Sequence, residues 1–161
     1  MAKRTLMVIT PEVTGDLRSA ARSAAAGARA SGGRVRMVFV RPIPPPRVDR
    51  YDRVVADPDA EMARLAGLAE VQMAALDAEF GDVPVESLVR FGRLAAELRL
   101  EAESFGADLI GLAAPARSGP RHQLHAWYLG VTLPVPVVLL PLVRDDAADR
   151  RHESVGLPAF R

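Results

Sequence analysis

Residues 85–115 read VESLVRFGRLAAELRLEAESFGADLIGLAAP. Four elements follow one another here without interruption. Val85 to Arg90 is a short run rich in residues that favour a pleated strand. Gly92 to Ala95 supplies a turn. From Leu94 to Phe105 the apolar residues Leu94, Leu98, Ala102 and Phe105 recur at three and four, the spacing of one helix face. Gly106-Ala107-Asp108 ends that helix, and Leu109 to Leu112 is a second apolar run of strand length. A strand, a helix and a strand in immediate succession predict a crossover connection between two parallel strands.

Outward from this stretch the same alternation continues in both directions. Thr5 to Ile9 and Val35 to Val40 are apolar runs of strand length, and an alanine-rich helix from about Asp16 to Ala30 lies between them. Gly32-Gly33 ends that helix, because glycine accepts the left-handed conformation found there. Asp57-Pro58 is a helix start: an aspartate cap followed by proline at the first helical position. Met62, Leu65, Ala69, Met73, Leu76 and Phe80 then form one apolar face. A last helix is expected over Pro120 to Val131, and a final strand over Val135 to Leu140. The order βαβαβαβαβ predicts an α/β fold: a five-stranded parallel open sheet with helices on both faces, Rossmann-like in outline. No internal repeat is visible.

The block from Val85 to Pro115 resembles the universal stress protein (UspA) family. There a strand, a Gly-small-Ala turn, an acidic amphipathic helix ending in Gly-Ala-Asp and a hydrophobic strand occur in this order. As a pattern the resemblance runs from about Arg4 to Pro141. It implies the adenine nucleotide alpha hydrolase-like version of the fold, and a homodimer formed through the last strand, by way of Val135, Val137, Val138, Leu139 and Leu140. It also implies a place for a nucleotide: an aspartate after strand one, a Gly-x-x-Gly loop after strand four, and Gly-Ser or Gly-Thr some nine residues on. Such loops hold phosphate with backbone amides, which glycine lets approach closely.

At these places the chain departs from the family pattern. Thr10-Pro11 stands where the aspartate belongs. Ala113 and Ala116 replace the two glycines, and Pro115 between them has no amide to donate. Ala126-Trp127 takes the place of Gly-Ser. The site is therefore expected to be degenerate. A rescue by side chains would draw on Arg117, Ser118, Gly119, Arg121 and His122, with the amino end of the last helix attracting an anion. Glu12 and Asp16 lie near the missing aspartate, and Asp16 serves equally as a first-turn residue.

Composition narrows the partners. Of 161 residues, 49% are hydrophobic and 25% charged, enough for one domain with a full core. Twenty-one basic and 20 acidic residues leave a net charge of +1, so no strong field draws the chain to nucleic acid or anionic lipid. Cysteine is absent, which excludes disulfides and thiolate chemistry and is compatible with a reducing cytoplasm. MAKRTLMVIT stops too soon, at Pro11-Glu12, to make a signal peptide. Leu133 to Val143 is too short and too rich in proline to span a membrane. The α/β domain is expected over residues 1–143. Residues 144–161, RDDAADRRHES followed by VGLPAFR, form a charged tail, either flexible or docking through Leu157 and Phe160 on a partner or on the domain itself. Pro42 to Pro46 reads as a stiff extended loop.

The remaining motifs carry little chemistry. His122 and His125 share a helix face, yet no cysteine or nearby carboxylate completes a metal site. Trp127 and Tyr128 form either an exposed aromatic pair or, as is more common, a pair of which one or both pack in the core. Ser31-Gly32-Gly33 resembles the SGG loop of ATP pyrophosphatases but precedes strand two instead of following strand one. A response regulator would need an aspartate where Phe91-Gly92 stands. No nucleophile, base and orienting group converge. The sequence thus predicts a non-enzymatic, cytoplasmic, homodimeric stress-response or regulatory module that does not bind ATP and has no cofactor. Two alternatives remain: a member binding ATP or AMP through a remodelled loop, and a scaffold subunit binding a larger protein through the proline loop and tail.

Overall fold

A computed structural model describes residues 2–13, 15–115 and 119–142. The tail expected at 144–161 and residues 116–118, among them Ala116 and Arg117 of the expected nucleotide site, lie outside the described residues. Seven strands and four α-helices follow in the order β1 (Arg4–Ile9), α1 (Arg18–Ser31), β2 (Arg34–Arg41), β3 (Arg47–Val48), β4 (Val54–Ala56), α2 (Pro58–Ala74), β5 (Val85–Phe91), α3 (Leu94–Phe105), β6 (Leu109–Pro115), α4 (Pro120–Thr132) and β7 (Val137–Leu142). A short 3-10 helix, Asp77–Phe80, follows α2.

Five of the strands form the expected parallel sheet, in the order β5-β2-β1-β6-β7. Its centre is β1, paired from Arg4 with Arg34 to Ile9 with Phe39 on one side and from Thr5 with Leu109 to Val8 with Leu112 on the other. Alternate residues of β1 enter two separate cores. Met7 and Ile9 join Met37, Phe39, Met73 and Phe80 with the buried alanines of α1. Leu6 and Val8 join Leu98, Ala102, Phe105, Ile110, Leu129 and Leu133 of the α3 and α4 side. Helices α1 and α2 thus cover one face, and α3 and α4 the other.

Local chemistry fixes the helix ends. Asp57 caps α2 by accepting a hydrogen bond from the amide of Ala60 at 2.7 Å, with Pro58 in the first turn. Gly32 closes α1 in the left-handed conformation at φ 64°. The neighbouring Gly33 is required for a different reason: a Cβ there would lie 1.9 Å from the carbonyl oxygen of Lys3. That contact lets Arg34 donate to the same oxygen at 3.1 Å and start β2 in register beside β1.

On the α3 side one charged group is interior. Glu101 is 2% exposed, and its carboxylate accepts hydrogen bonds from Arg36 Nη1 of β2 at 3.0 Å and from Arg90 Nε of β5. Arg36 also pairs with Glu86 and lies over the ring of Phe105, 4.4 Å from its centroid. This network joins α3 to the two strands at the β5 edge.

Several expectations need correction. The segment after Pro46 contains a two-stranded antiparallel hairpin, β3 with β4, which the proline-dominated reading overlooked. The face of α2 sinks into the core only at Ala69 and Met73, while Leu76 and Phe80 belong to the turn and 3-10 helix beyond it. Strand β6 continues through Ala113, Ala114 and Pro115, which pair with Leu140, Pro141 and Leu142. The last strand begins at Val137, two residues late, because Pro134 and Pro136 interrupt its approach.

Two substitutions test this account by chemical denaturation. Gly33→Ala is expected to destabilise the protein by about 3 kcal/mol or more, since backbone must move, whereas Gly27→Ala, on the exposed side of α1 with open space at its Cβ, should stabilise by about 0.5–1 kcal/mol. Glu101→Ala should cost about 3 kcal/mol, the low end for breaking a buried pair because Arg36 keeps Glu86. Glu86→Ala, whose carboxylate is half exposed, should cost less than about 1 kcal/mol.

Candidate functional site

The strand order places the site. Chain travel reverses at β5, so the connections leaving β1 and β6 diverge to opposite faces and open a crevice at the carboxyl ends of the strands. A cavity of about 300 Å³ lies there, lined by Thr10, Glu12, Arg41, Gly92, Arg93 and His125 among others. A second, of about 190 Å³, shares Thr10, Glu12, Leu94 and His125 and reaches Ala113 and His122.

Each wall follows from a strand end. Thr10 leaves β1, and its carbonyl accepts from the amide of Val13 at 3.1 Å, a turn that brings Glu12 to the rim. Arg41 closes β2 with its guanidinium 5.4 Å from the centroid of the Phe39 ring. Its Nε is buried with no hydrogen-bond partner among the described residues. Gly92 leaves β5 at φ 153°, and a side chain there would meet the carboxylate of Glu97 at 2.5 Å. That glycine allows the sharp turn into α3 and brings Arg93 and Leu94 to the cavity wall.

The residues singled out from sequence separate into three groups. Thr10 stands in the crevice as expected. Ala113 borders it but is a strand residue 1% exposed, so it belongs to the sheet and not to a loop. Ala116 and Arg117 lie outside the described residues. Gly119 is the residue before α4, extended at φ −66° and ψ 174°, and its carbonyl accepts from the amide of His122 at 3.0 Å. Arg121 is exposed and lines neither cavity; His122 and His125 do. Asp16 lines neither cavity and accepts from the backbone amide and Nε of Arg18. The Arg18 amide, foremost, holds its carboxyl below the usual range.

Glu12, His122 and His125 border one cavity, but no group of three or more His, Asp or Glu among the described residues stands close enough to hold a metal ion. Sequence reasoning missed Arg41, Arg93 and Leu94. The available signal was positional: Arg41 closes β2, and Arg93 and Leu94 stand in the turn from β5 into α3, at strand ends that face the crevice.

The residues assigned to a dimer lie around β7. This strand pairs with β6 on one side only. Val138 is 41% exposed, Val137 and Leu139 are half-buried against the α3 and α4 side, Val135 packs there ahead of the strand, and Leu140 points into the opposite core. Trp127 and Tyr128, left open between core and surface by the sequence, are 65% and 51% exposed. No described helix is long and apolar enough to cross a membrane.

Comparison with known proteins agrees with this geometry. The model of the universal stress protein family matches residues 1–141. Among curated proteins none matches the chain by sequence. Among solved structures, the universal stress protein UspA from Lactobacillus plantarum is 16% identical with a TM-score of 0.57, covering 86% of this chain and 97% of its own. A universal stress protein from Archaeoglobus fulgidus, solved in complex with dAMP, is 17% identical with a TM-score of 0.53, covering 87% and 99%. A family protein from Arabidopsis thaliana with AMP bound is 12% identical with a TM-score of 0.52, covering 89% and 94%. At such identities these likenesses carry the fold.

Proposed function

The chain belongs to the universal stress protein family, and on that premise we propose that it acts as a non-enzymatic regulatory module, a homodimer that does not hold ATP. The observation that carries this reading is the course of β6. Where the family's phosphate loop begins, Ala113 to Pro115 continue the strand, paired with β7 as far as Leu142. Backbone amides engaged in a sheet are not free to cradle phosphate, and Pro115 has none. Thr10 offers no carboxylate to a ribose.

The dimer is supported by β7, whose outer edge has no partner among the described residues. Such an edge pairs readily with another copy unless it is blunted, and Pro141, which lacks a donor, limits that pairing to the strand's first half. The cytoplasm is the compartment proposed for it, compatible with a chain free of cysteine. Without a convergent nucleophile and base, an enzymatic role has no support.

A second reading is favoured by one observation: the larger cavity brings Arg41 and Arg93 together with His125, and proteins of the same fold have been solved with AMP or dAMP. In it an adenine mononucleotide binds with its phosphate against these side chains.

Thermal unfolding with millimolar ATP or AMP separates the two. The first reading expects an unchanged midpoint; a ligand at a hundred times its dissociation constant would add about 2.7 kcal/mol. An AMP-dependent rise that Arg41→Gln abolishes would establish the second. For the dimer, native mass spectrometry of Val138→Lys should give monomer where the parent gives twice the mass, and a variant that remains dimeric would remove β7 from the interface.

A further inference from the structure

Helix α4 is apolar on two opposite sides. Leu129 and Leu133 face the core. Roughly half a turn away at 100° per residue, Leu124, Trp127 and Val131 are 64%, 65% and 63% exposed, with Tyr128 beside them at 51%. An ordinary surface helix has one apolar side, turned to the core, and an exposed patch this rich in large side chains on the other side marks a contact. We propose that the chain's own carboxyl-terminal segment covers it: Val155, Leu157 and Phe160 of VGLPAF lie along α4 over Trp127.

The path of the chain favours this occupant. Strand β7 ends at Leu142, the sheet partner of Pro115, and α4 begins at Pro120, five residues after Pro115. The segment after Leu142 therefore starts at the end of the sheet where α4 starts. Residues 143–154 are twelve in number and mostly charged or small, a reach of about 40 Å when extended. Helix α4 has 13 residues and is about 20 Å long. Apolar residues return in the chain at Val155, within that reach. Pro158 favours an extended course for Leu157, so that Leu157 and Phe160 meet a groove as side chains of an extended peptide. Tethering gives the segment an effective concentration in the millimolar range, ahead of a second copy in free solution.

The test uses Trp127, the one tryptophan of the chain. In the full chain its fluorescence is expected to be blue-shifted and shielded from iodide, unchanged on dilution. Leu157→Asp with Phe160→Asp should move the emission to the red and remove the shielding, with the circular dichroism of the domain retained. A Trp127 open to iodide in the parent chain overturns the proposal, as does shielding that survives the double variant or is lost on dilution. Because the chain has no cysteine, Leu124→Cys with Leu157→Cys adds a second measurement. An intramolecular disulfide in dilute protein supports docking within the chain; cross-linking only between chains transfers the segment to a second copy and refutes it.

Discussion

The handedness of parallel crossovers governs this molecule. A strand, helix and parallel strand turn right-handed almost without exception, so the direction of travel across the sheet decides which face each helix covers. From β1 to β2 to β5 the chain moves one way and places α1 and α2 on one face. From β5 it jumps back over β1 and β2 to β6 and β7, and the same handedness sends α3 and α4 to the other face. The reversal leaves β1 buried on both sides, with Leu6, Met7 and Val8 fully inaccessible. It also opens the crevice where Thr10, Arg41 and Arg93 meet. Core and site have one topological cause.

The connection that crosses most of the sheet, β5 to β6, carries the one buried carboxylate found among the described residues. Helix α3 has to lie beneath β2 and β5, and the edge strand β5 buries little by itself: its Glu86, Ser87 and Arg90 are exposed. Glu101 compensates by joining α3 to Arg36 and Arg90. Two guanidiniums for one carboxylate leave a positive excess, which Glu86 and the ring of Phe105 share. Such a network is weak evidence for stability in itself, but its removal exposes a misfit at the edge where the sheet has least apolar contact.

The architecture was legible because period and punctuation agree along the chain. Asp57-Pro58 and Gly32 mark their helix ends as they mark them in sequence, and the five main strands appear in order. Glu101 was passed over in the sequence, although it lies beside Leu98, Ala102 and Phe105 on the buried side of α3, where an acidic residue demands a cation. What could not be read was set by pairing. Ala113 to Pro115 look like loop because alanine and proline are poor strand formers, yet β7 lies alongside and continues the ladder. The β3 and β4 hairpin was obscured by the prolines before it. The sequence leaves Trp127 and Tyr128 open between core and surface, and their register on α4, away from Leu129, turns them outward.

The same extension of β6 explains how a family fold can keep its crevice while changing what the crevice offers. In a phosphate loop the peptide dipoles point into space and supply the positive field. Here residues 113–115 continue the strand, paired with β7 on one side, and Pro115 has no amide to offer; the described walls carry positive charge on the side chains of Arg41 and Arg93. Arg41 and Arg93 project from β2 and the β5 turn, across the crevice from β6. The guanidiniums of the crevice thus stand on the β2 and β5 side of β1. A guanidinium on a flexible stem selects less sharply by shape than a fixed ring of amides, because its side-chain entropy must be overcome on ordering. On the reading in which a mononucleotide binds here, these side chains would therefore discriminate less sharply among acidic ligands than a ring of amides does, and Pro115, which has no amide, limits what the end of β6 could add.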